Sequence, residues 1–261
     1  MNTSISTRSP ASGRPTLRSW QESAIVALVW IAPGGLICSF LWIQWKVSIL
    51  HPEEIGRWHP TLSSSLNNPE ISGPFNLVLM FITPFLLASI WMVTRYYWAF
   101  TGHLGAGRAR EFFWRGLVVF TCFLQVLAAV GMVMLAYYPS DSHSLPHVTG
   151  SYMLFFGHAA SILASGYFSR QMGFMDGIDL DRSWIKKEQR RWRRSIVVVG
   201  AAFVYPFLFY APNFSDVFWF YEFSAFVAAV EILVLTAFLL YLSSFTSELV
   251  RFERYKRGSD R

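Results

Sequence analysis

Asp141, His143 and His147 stand at Asp-x-His-x3-His spacing in the polar stretch from Tyr137 to Gly150, between two long apolar runs. Carboxylate and imidazole are zinc ligands and acid/base groups. Zinc takes three or four such donors in tetrahedral array, and a catalytic zinc leaves one position for water. His51, His59, Glu53, Glu54 and Glu70, from the stretch 46–72, would join them on one face if both stretches lie on one side of a membrane. The spacing matches no recognised metal motif, and it equally fits a tight hairpin. In that hairpin Pro139, Ser140 and Asp141 set the backbone and His147 caps the helix that follows or bonds to the first loop. The hairpin is the preferred reading, with Asp141, His143 and His147 as the alternative metal set, and no cofactor is expected.

A second group lies within the apolar runs: Gln125, His158, Glu222 and Glu231. A titratable side chain in hydrocarbon is costly, so each of these must face a bundle interior or a cavity. Ser161 and Ser165 lie near His158 at helical spacing, and Ser224 and Ala228 near Glu231, and such small-residue rows mark helix contacts. His158 and Glu231 fall at similar depths and could pair if their helices are neighbours. Glu222 and Glu231, nine residues apart, are half a turn out of phase at 100° per residue, so one cavity does not easily hold both. His158, Glu231, Gln125 and Ser161 are therefore the expected lipid- or ligand-binding residues. A satisfied polar core and a proton relay are the competing readings.

The elements that must position these groups are membrane helices. The 261 residues are 53% hydrophobic and 15% charged, with 24 Phe, 11 Trp and 11 Tyr, too apolar for a single soluble domain. A bilayer core of about 30 Å needs roughly 20 helical residues. Runs of that kind occur at about 23–45, 73–97, 116–138, 148–172, 195–212 and 217–244. They are continuous rather than alternating, which predicts an all-α six-transmembrane-helix bundle rather than a barrel. Around this domain of residues 20–245 the sequence predicts a disordered tail at 1–19, rich in Ser, Thr, Pro, Gly and Arg, and a basic tail at 246–261. The stretch 46–72 is long for a connection, and its prolines break any continuous helix, so it is expected to fold back as an outer cap.

The basic residues orient the bundle. With the N-terminus inside, 20 of the 22 Lys and Arg lie in inside segments and only Lys46 and Arg57 outside, which predicts cytoplasmic N- and C-termini. The net charge of +6 then describes a membrane face, and nucleic acid is not a partner. Lys186, Lys187, Arg190, Arg191, Arg193 and Arg194 are the expected contacts to anionic headgroups, in a charged helix that follows Asp176, Asp179 and Asp181. Thr101 to Arg108 is a glycine-rich turn without the strand or the Lys-Ser/Thr end of a phosphate loop. The Asn213-Phe214-Ser215 sequon lies too close to the membrane to be modified. Cys38 and Cys122 differ in depth by on the order of 13 Å at the helical rise, too far for a disulfide. The first apolar run is of span length and lacks a small-residue cleavage site, so it is expected to remain as a helix.

Two stretches carry a family resemblance: Pro60-Thr61-Leu62-Ser63 through Pro69-Glu70 to Phe75, and Gly131 through Tyr138 to His147, Gly150 and Phe155-Phe156. Together they resemble the six-span family of the damage-regulated autophagy modulators, the yeast plasma-membrane proteins grouped with them and a Golgi factor for GPI-anchor lipid remodelling. That family has a Pro-x-Ile-Ser segment after span one, with Leu62 here at the Ile position, and a Gly…Phe…His-x-x-Gly pattern joining spans three and four. Pro139-Ser140-Asp141 is also similar to a related bacterial six-span family of unknown function. The resemblance implies an integral membrane protein linked to lipid handling or membrane organisation, with Pro60, Ser63, Glu70, His147 and Gly150 as its cap and hairpin residues. The resulting expectation is a non-enzymatic protein of a plasma, bacterial inner or endomembrane that binds lipid or packs against partner membrane proteins. A lipid-modifying enzyme using the outer His/Asp groups and a proton-coupled transporter through His158 and Glu231 are the alternatives.

Overall fold

The computed structural model describes residues 19–52, 60–104, 107–172, 182–210 and 221–259. Among them every regular element is helical. The long helices are α1 (Ser19–Leu50), α3 (Pro69–Phe100), α4 (Arg108–Tyr137), α5 (Ser144–Met172), α6 (Arg182–Tyr210) and α7 (Tyr221–Ser243). A single-turn helix α2 (Leu62–Ser65) precedes α3, and α8 (Thr246–Ser259) follows α7. The shortest long helix has 23 residues, about 35 Å at 1.5 Å per residue, which is enough to cross a bilayer core.

Among the described residues, four segments are both long and apolar enough to be membrane spans by length and composition: Trp20–Leu50, Pro69–His103, Arg108–Tyr137 and Phe223–Arg254. The helices α5 and α6 match them in length, and their polar content has a structural reason. In α5 the polar and small residues His147, Gly150, Gly157, Ser161, Ser165 and Ser169 are buried, so its polarity faces the other helices. In α6 the first half, Arg182 to Arg194, is basic, and only the second half is apolar.

Each long helix packs beside the next, α1 on α3, α3 on α4, α4 on α5, α5 on α6 and α6 on α7, and α7 closes the ring against α1. The closest approach is between α4 and α5. A Cβ on Gly131 would lie 2.6 Å from the Gly150 carbonyl oxygen, and one on Gly150 would lie 2.9 Å from the Gly131 carbonyl oxygen. These glycines of the hairpin pattern therefore let two backbones touch, as small residues do in membrane helix pairs.

The bundle thus has two ends. At the cap end, α1 finishes, α2 folds over and α3 begins. Asn68 caps α3 by accepting from Glu70 N at 2.9 Å, with Pro69 as its first residue, where the missing N–H costs nothing. At the basic end, α8 is a helix packed on α1 and α3, where the sequence led us to expect a tail. Residues 1–18, Glu53, Glu54, His59, the aspartates at 176, 179 and 181, and the Asn213 sequon lie outside the described residues. Cys38 and Cys122 are free thiols.

Candidate functional site: a capped cavity over Glu231

Glu231 sits on α7 and is 3% exposed. Its carboxylate accepts from Leu62 N at 2.5 Å, and Ser63 N and the Tyr205 hydroxyl also donate to it. The first turn of any helix leaves backbone N–H groups without intrahelical partners. In α2 they are all used: Leu62 N and Ser63 N reach Glu231, and Ser64 N donates to Thr61 Oγ1 at 3.3 Å. The Pro60 to Ser63 segment is therefore held by a buried carboxylate from the far end of the chain. Leu62 supplies a backbone amide, so a branched apolar residue of either shape serves there.

The cap is also tied to the hairpin. Ser140 N donates to Asn67 Oδ1 at 2.8 Å and Asn67 Nδ2 donates to Ser140 Oγ at 2.8 Å. Asn68 Nδ2 lies 2.6 Å from His51 Nε2 at the end of α1. His147 is buried in the first turn of α5, and its Nδ1 lies 2.8 Å from the Tyr138 carbonyl oxygen. A carbonyl only accepts, so Nδ1 carries the proton, and in a neutral ring Nε2 is then the acceptor.

Beneath this lid lies a cavity of about 360 Å³. Phe40, Phe75, Met132, Leu135, Leu154, Phe155 and Leu235 form its apolar wall, and Val148, Tyr152, Phe156 and Pro206 also line it. Its polar groups are Glu231, His147, Tyr152, Tyr205 and the hydroxyls of Thr61, Ser63, Ser64, Ser140 and Ser151. Among the described residues no Lys or Arg lines it. The cavity thus offers hydroxyls and acceptors at its capped end, with no cation among the described residues to neutralise a phosphate.

His158 and Gln125 lie elsewhere. They line a separate space of about 10 Å³ with Phe238 and Tyr241, room for about one water. The ring of His158 packs on Phe238, 5.1 Å between centroids. Phe238 is two helical turns from Glu231, so the expected His158–Glu231 pair does not form even though α5 and α7 touch. Ser161 is fully buried and its hydroxyl bonds the His158 carbonyl oxygen at 2.9 Å. Of the four residues expected to bind ligand, only Glu231 lines a space that can hold one.

The metal alternative also separates. Asp141 and His143 are exposed while His147 points into the fold, and among the described residues no three His, Cys, Asp or Glu converge. Glu70 is exposed on the first turn of α3, and Pro60 is buried beside a surface groove that includes His51, Asn67 and Asp141.

At the basic end one expectation needs correcting. Arg191 is 3% exposed, so it cannot be a headgroup contact. Its guanidinium bonds Glu188 at 2.6 Å, Glu248 at 3.1 Å and the Ser244 carbonyl oxygen at 3.2 Å, and lies 3.9 Å over the Phe245 ring. Burial alone would lower its pKa, but Glu188, followed by Tyr97 and Glu248, raises it well above the ordinary value. Tyr96 donates to Glu188 at 2.6 Å and Trp184 Nε1 donates to Tyr96 at 2.8 Å, so the cluster joins α3, α6 and α8. Lys186, Arg190, Arg193 and Arg194 are exposed and Lys187 is half-buried.

Sequence reasoning missed Tyr205, Tyr152 and Ser151 in the cavity wall and Glu188 and Glu248 in the ion cluster. A Tyr beside Pro206 in an apolar run carried a weak signal, because a hydroxyl at that depth needs a partner. The backbone donors of α2 carried none.

A ring of long apolar helices enclosing buried polar groups defines an integral membrane protein. The profile of the Frag1/DRAM/Sfk1/Cwh43P N-terminal domain matches residues 22–252, so the chain belongs to that family. The matched span takes in both the capped cavity and the ion cluster. No curated protein and no solved structure matches the chain.

Proposed function

We propose that this protein binds a neutral, hydroxyl-bearing lipid in the cavity beneath the cap, and that it acts by holding that lipid rather than by transforming it. The observation that supports the reading most is the composition of the cavity wall among the described residues: long apolar surface, clustered hydroxyls and acceptors, one carboxylate and no basic side chain. Sites for small molecules are typically apolar spaces with a few placed polar groups. A lipid phosphate would meet Glu231 without a countercharge, whereas an alcohol headgroup can donate to His147 Nε2 or Glu231 and accept from the Ser and Tyr hydroxyls. Val148, Tyr152 and Phe156, each partly exposed on α5, give the acyl chains a route to the bilayer.

The same reading takes the six long helices as six spans with both termini cytoplasmic, supported by the placement of 20 of 22 Lys and Arg. The cap end then faces away from the cytoplasm. The exposed Lys186, Arg190, Arg193 and Arg194 lie at the level of the inner headgroups, where each basic residue contributes on the order of 1 kcal/mol of attraction to anionic lipid.

The test uses purified full-length protein in nanodiscs containing photoactivatable diacylglycerol or photoactivatable phosphatidylserine. Crosslinks from the diacylglycerol should map to residues 132–135 and 148–156, and unlabelled diacylglycerol should compete. Equal labelling of those segments by phosphatidylserine would defeat the neutral-lipid reading.

A further inference from the structure

Four helices converge on the small space beside His158: Ile90 comes from α3, Gln125 from α4, His158 from α5, and Phe238 and Tyr241 from α7. Gln125 is only 6% exposed, in the middle of a span. Among the described residues, neither its side-chain amide nor either ring nitrogen of His158 has a hydrogen-bond partner. Polar groups in that position are costly unless something pairs with them, and both line the same space.

The third polar group in the wall is the Tyr241 hydroxyl, and its hydrogen is already engaged. Ser165 Oγ donates to the Ile162 carbonyl oxygen at 3.0 Å, so in its 2.9 Å contact with the Tyr241 hydroxyl it accepts. The same tyrosine hydroxyl also reaches the Ile162 carbonyl oxygen at 3.4 Å. The Tyr241 oxygen therefore has only lone pairs to offer to the space. Gln125 brings an N–H donor and a carbonyl acceptor, and a neutral His158 ring brings one donor and one acceptor. A molecule that serves all three must both donate and accept.

We infer that this space is a binding site for a single water molecule that bridges Gln125, His158 and Tyr241. Size sets the ligand, since the space is about 10 Å³ and one water needs roughly 10–15 Å³. Charge agrees, because no carboxylate, Lys or Arg is among the described residues that line it. A buried water makes about three hydrogen bonds. Here one hydrogen goes to the Tyr241 oxygen and the other to the acceptor of Gln125 or His158, while the water oxygen accepts from the N–H of the other. In the ring of helices α4 and α7 are separated by α5 and α6, so the water ties them through the centre of the bundle. The site is separate from the cavity under the cap and does not depend on what that cavity holds.

X-ray radiolysis of the full chain in phosphatidylcholine nanodiscs, read by peptide mass spectrometry, tests the site, because hydroxyl radicals formed from a bound water oxidise the side chains around it. Phe238 and Tyr241, both buried, should gain oxygen several-fold faster than Phe123, which is two residues from Gln125 on α4 and 58% exposed on its outer surface. The double variant Q125L/H158F makes the wall apolar and should bring Phe238 and Tyr241 down to the Phe123 rate. Thermal melting of the two single variants and the double one gives a second reading. Each single change strips the water of one partner, whereas the double change removes both groups that need it, so the two losses should fall well short of adding. If the double variant fails to fold, the wild-type comparison with Phe123 decides by itself. Oxidation of Phe238 and Tyr241 no faster than that of Phe123, oxidation in the double variant at the wild-type rate, or losses that simply add would each overturn the proposal.

Discussion

The two ends of this bundle bury carboxylates in opposite ways. At the cap end, Glu231 is met by two backbone amides and a tyrosine hydroxyl, all neutral, and a cavity remains beside it. At the basic end, Glu188 and Glu248 are met by the buried guanidinium of Arg191, and aromatic rings fill the space around it. Stacked Tyr96 and Trp184, with Phe100, Phe245 and Phe252 edge-on or tilted to them, complete that plug. A carboxylate held by neutral donors from a lid can coexist with a ligand space. A guanidinium shared between Glu188 on its own helix and Glu248 on α8 instead locks α6 to α8. The first arrangement is built to bind and the second to brace.

Predictions that probe this contrast begin with the brace. Arg191→Ala leaves Glu188 buried without a countercharge and Glu248 with only Lys187 at 4.0 Å, and should cost about 3–5 kcal/mol, seen as a large drop in thermal stability in detergent. Arg191→Lys keeps the charge but loses the fork geometry, so it should fall between the two. If Arg191→Ala is as stable as wild type, the basic end is not a brace.

Gly131→Leu comes next. Its Cβ alone would meet the Gly150 carbonyl oxygen and Leu154 N at 2.6 Å, so α4 and α5 must separate, at about 1–3 kcal/mol or more. That variant should both melt earlier and lose lipid, because Met132, Leu135 and Leu154 line the cavity at this crossing.

The lid follows. Glu231→Gln keeps the shape but places an amide where three donors converge, and should cost about 1–3 kcal/mol. Hydrogen exchange at 61–66 should rise more than at 184–191, which separates loss of the lid from loss of the bundle. The smallest effect belongs to Asn67→Ala, which removes the part-buried tie to Ser140 and should cost about 1 kcal/mol in all, with the ion cluster untouched.

The long helices and the charge distribution were legible from the sequence because hydrophobic runs and basic clusters are one-dimensional signals. Gly131, Gly150 and the Pro60 to Ser63 segment were legible through resemblance, and the structure supplies their physical reasons in a backbone crossing and a pair of amides. The failures share a cause. Arg191 sits in a run of basic residues that looks uniformly solvated, and although Glu188 is its i−3 neighbour, nothing local shows that the pair turns inward to meet Glu248. His158 and Glu231 have matching depths, but depth says nothing about rotation around the ring of helices. Those are two-body facts, set by how α5 and α7, and α6 and α8, turn relative to one another.

The central claim is that the cavity under the cap holds a neutral lipid. Native mass spectrometry of the protein extracted with its surrounding lipid, wild type beside Ser151→Trp, tests it most directly, since that indole would occupy the space below His147. Wild type should carry one neutral lipid that survives delipidation, and Ser151→Trp should lose it while keeping wild-type thermal stability. A wild-type protein free of bound neutral lipid, or a Ser151→Trp protein that retains it, would contradict the account.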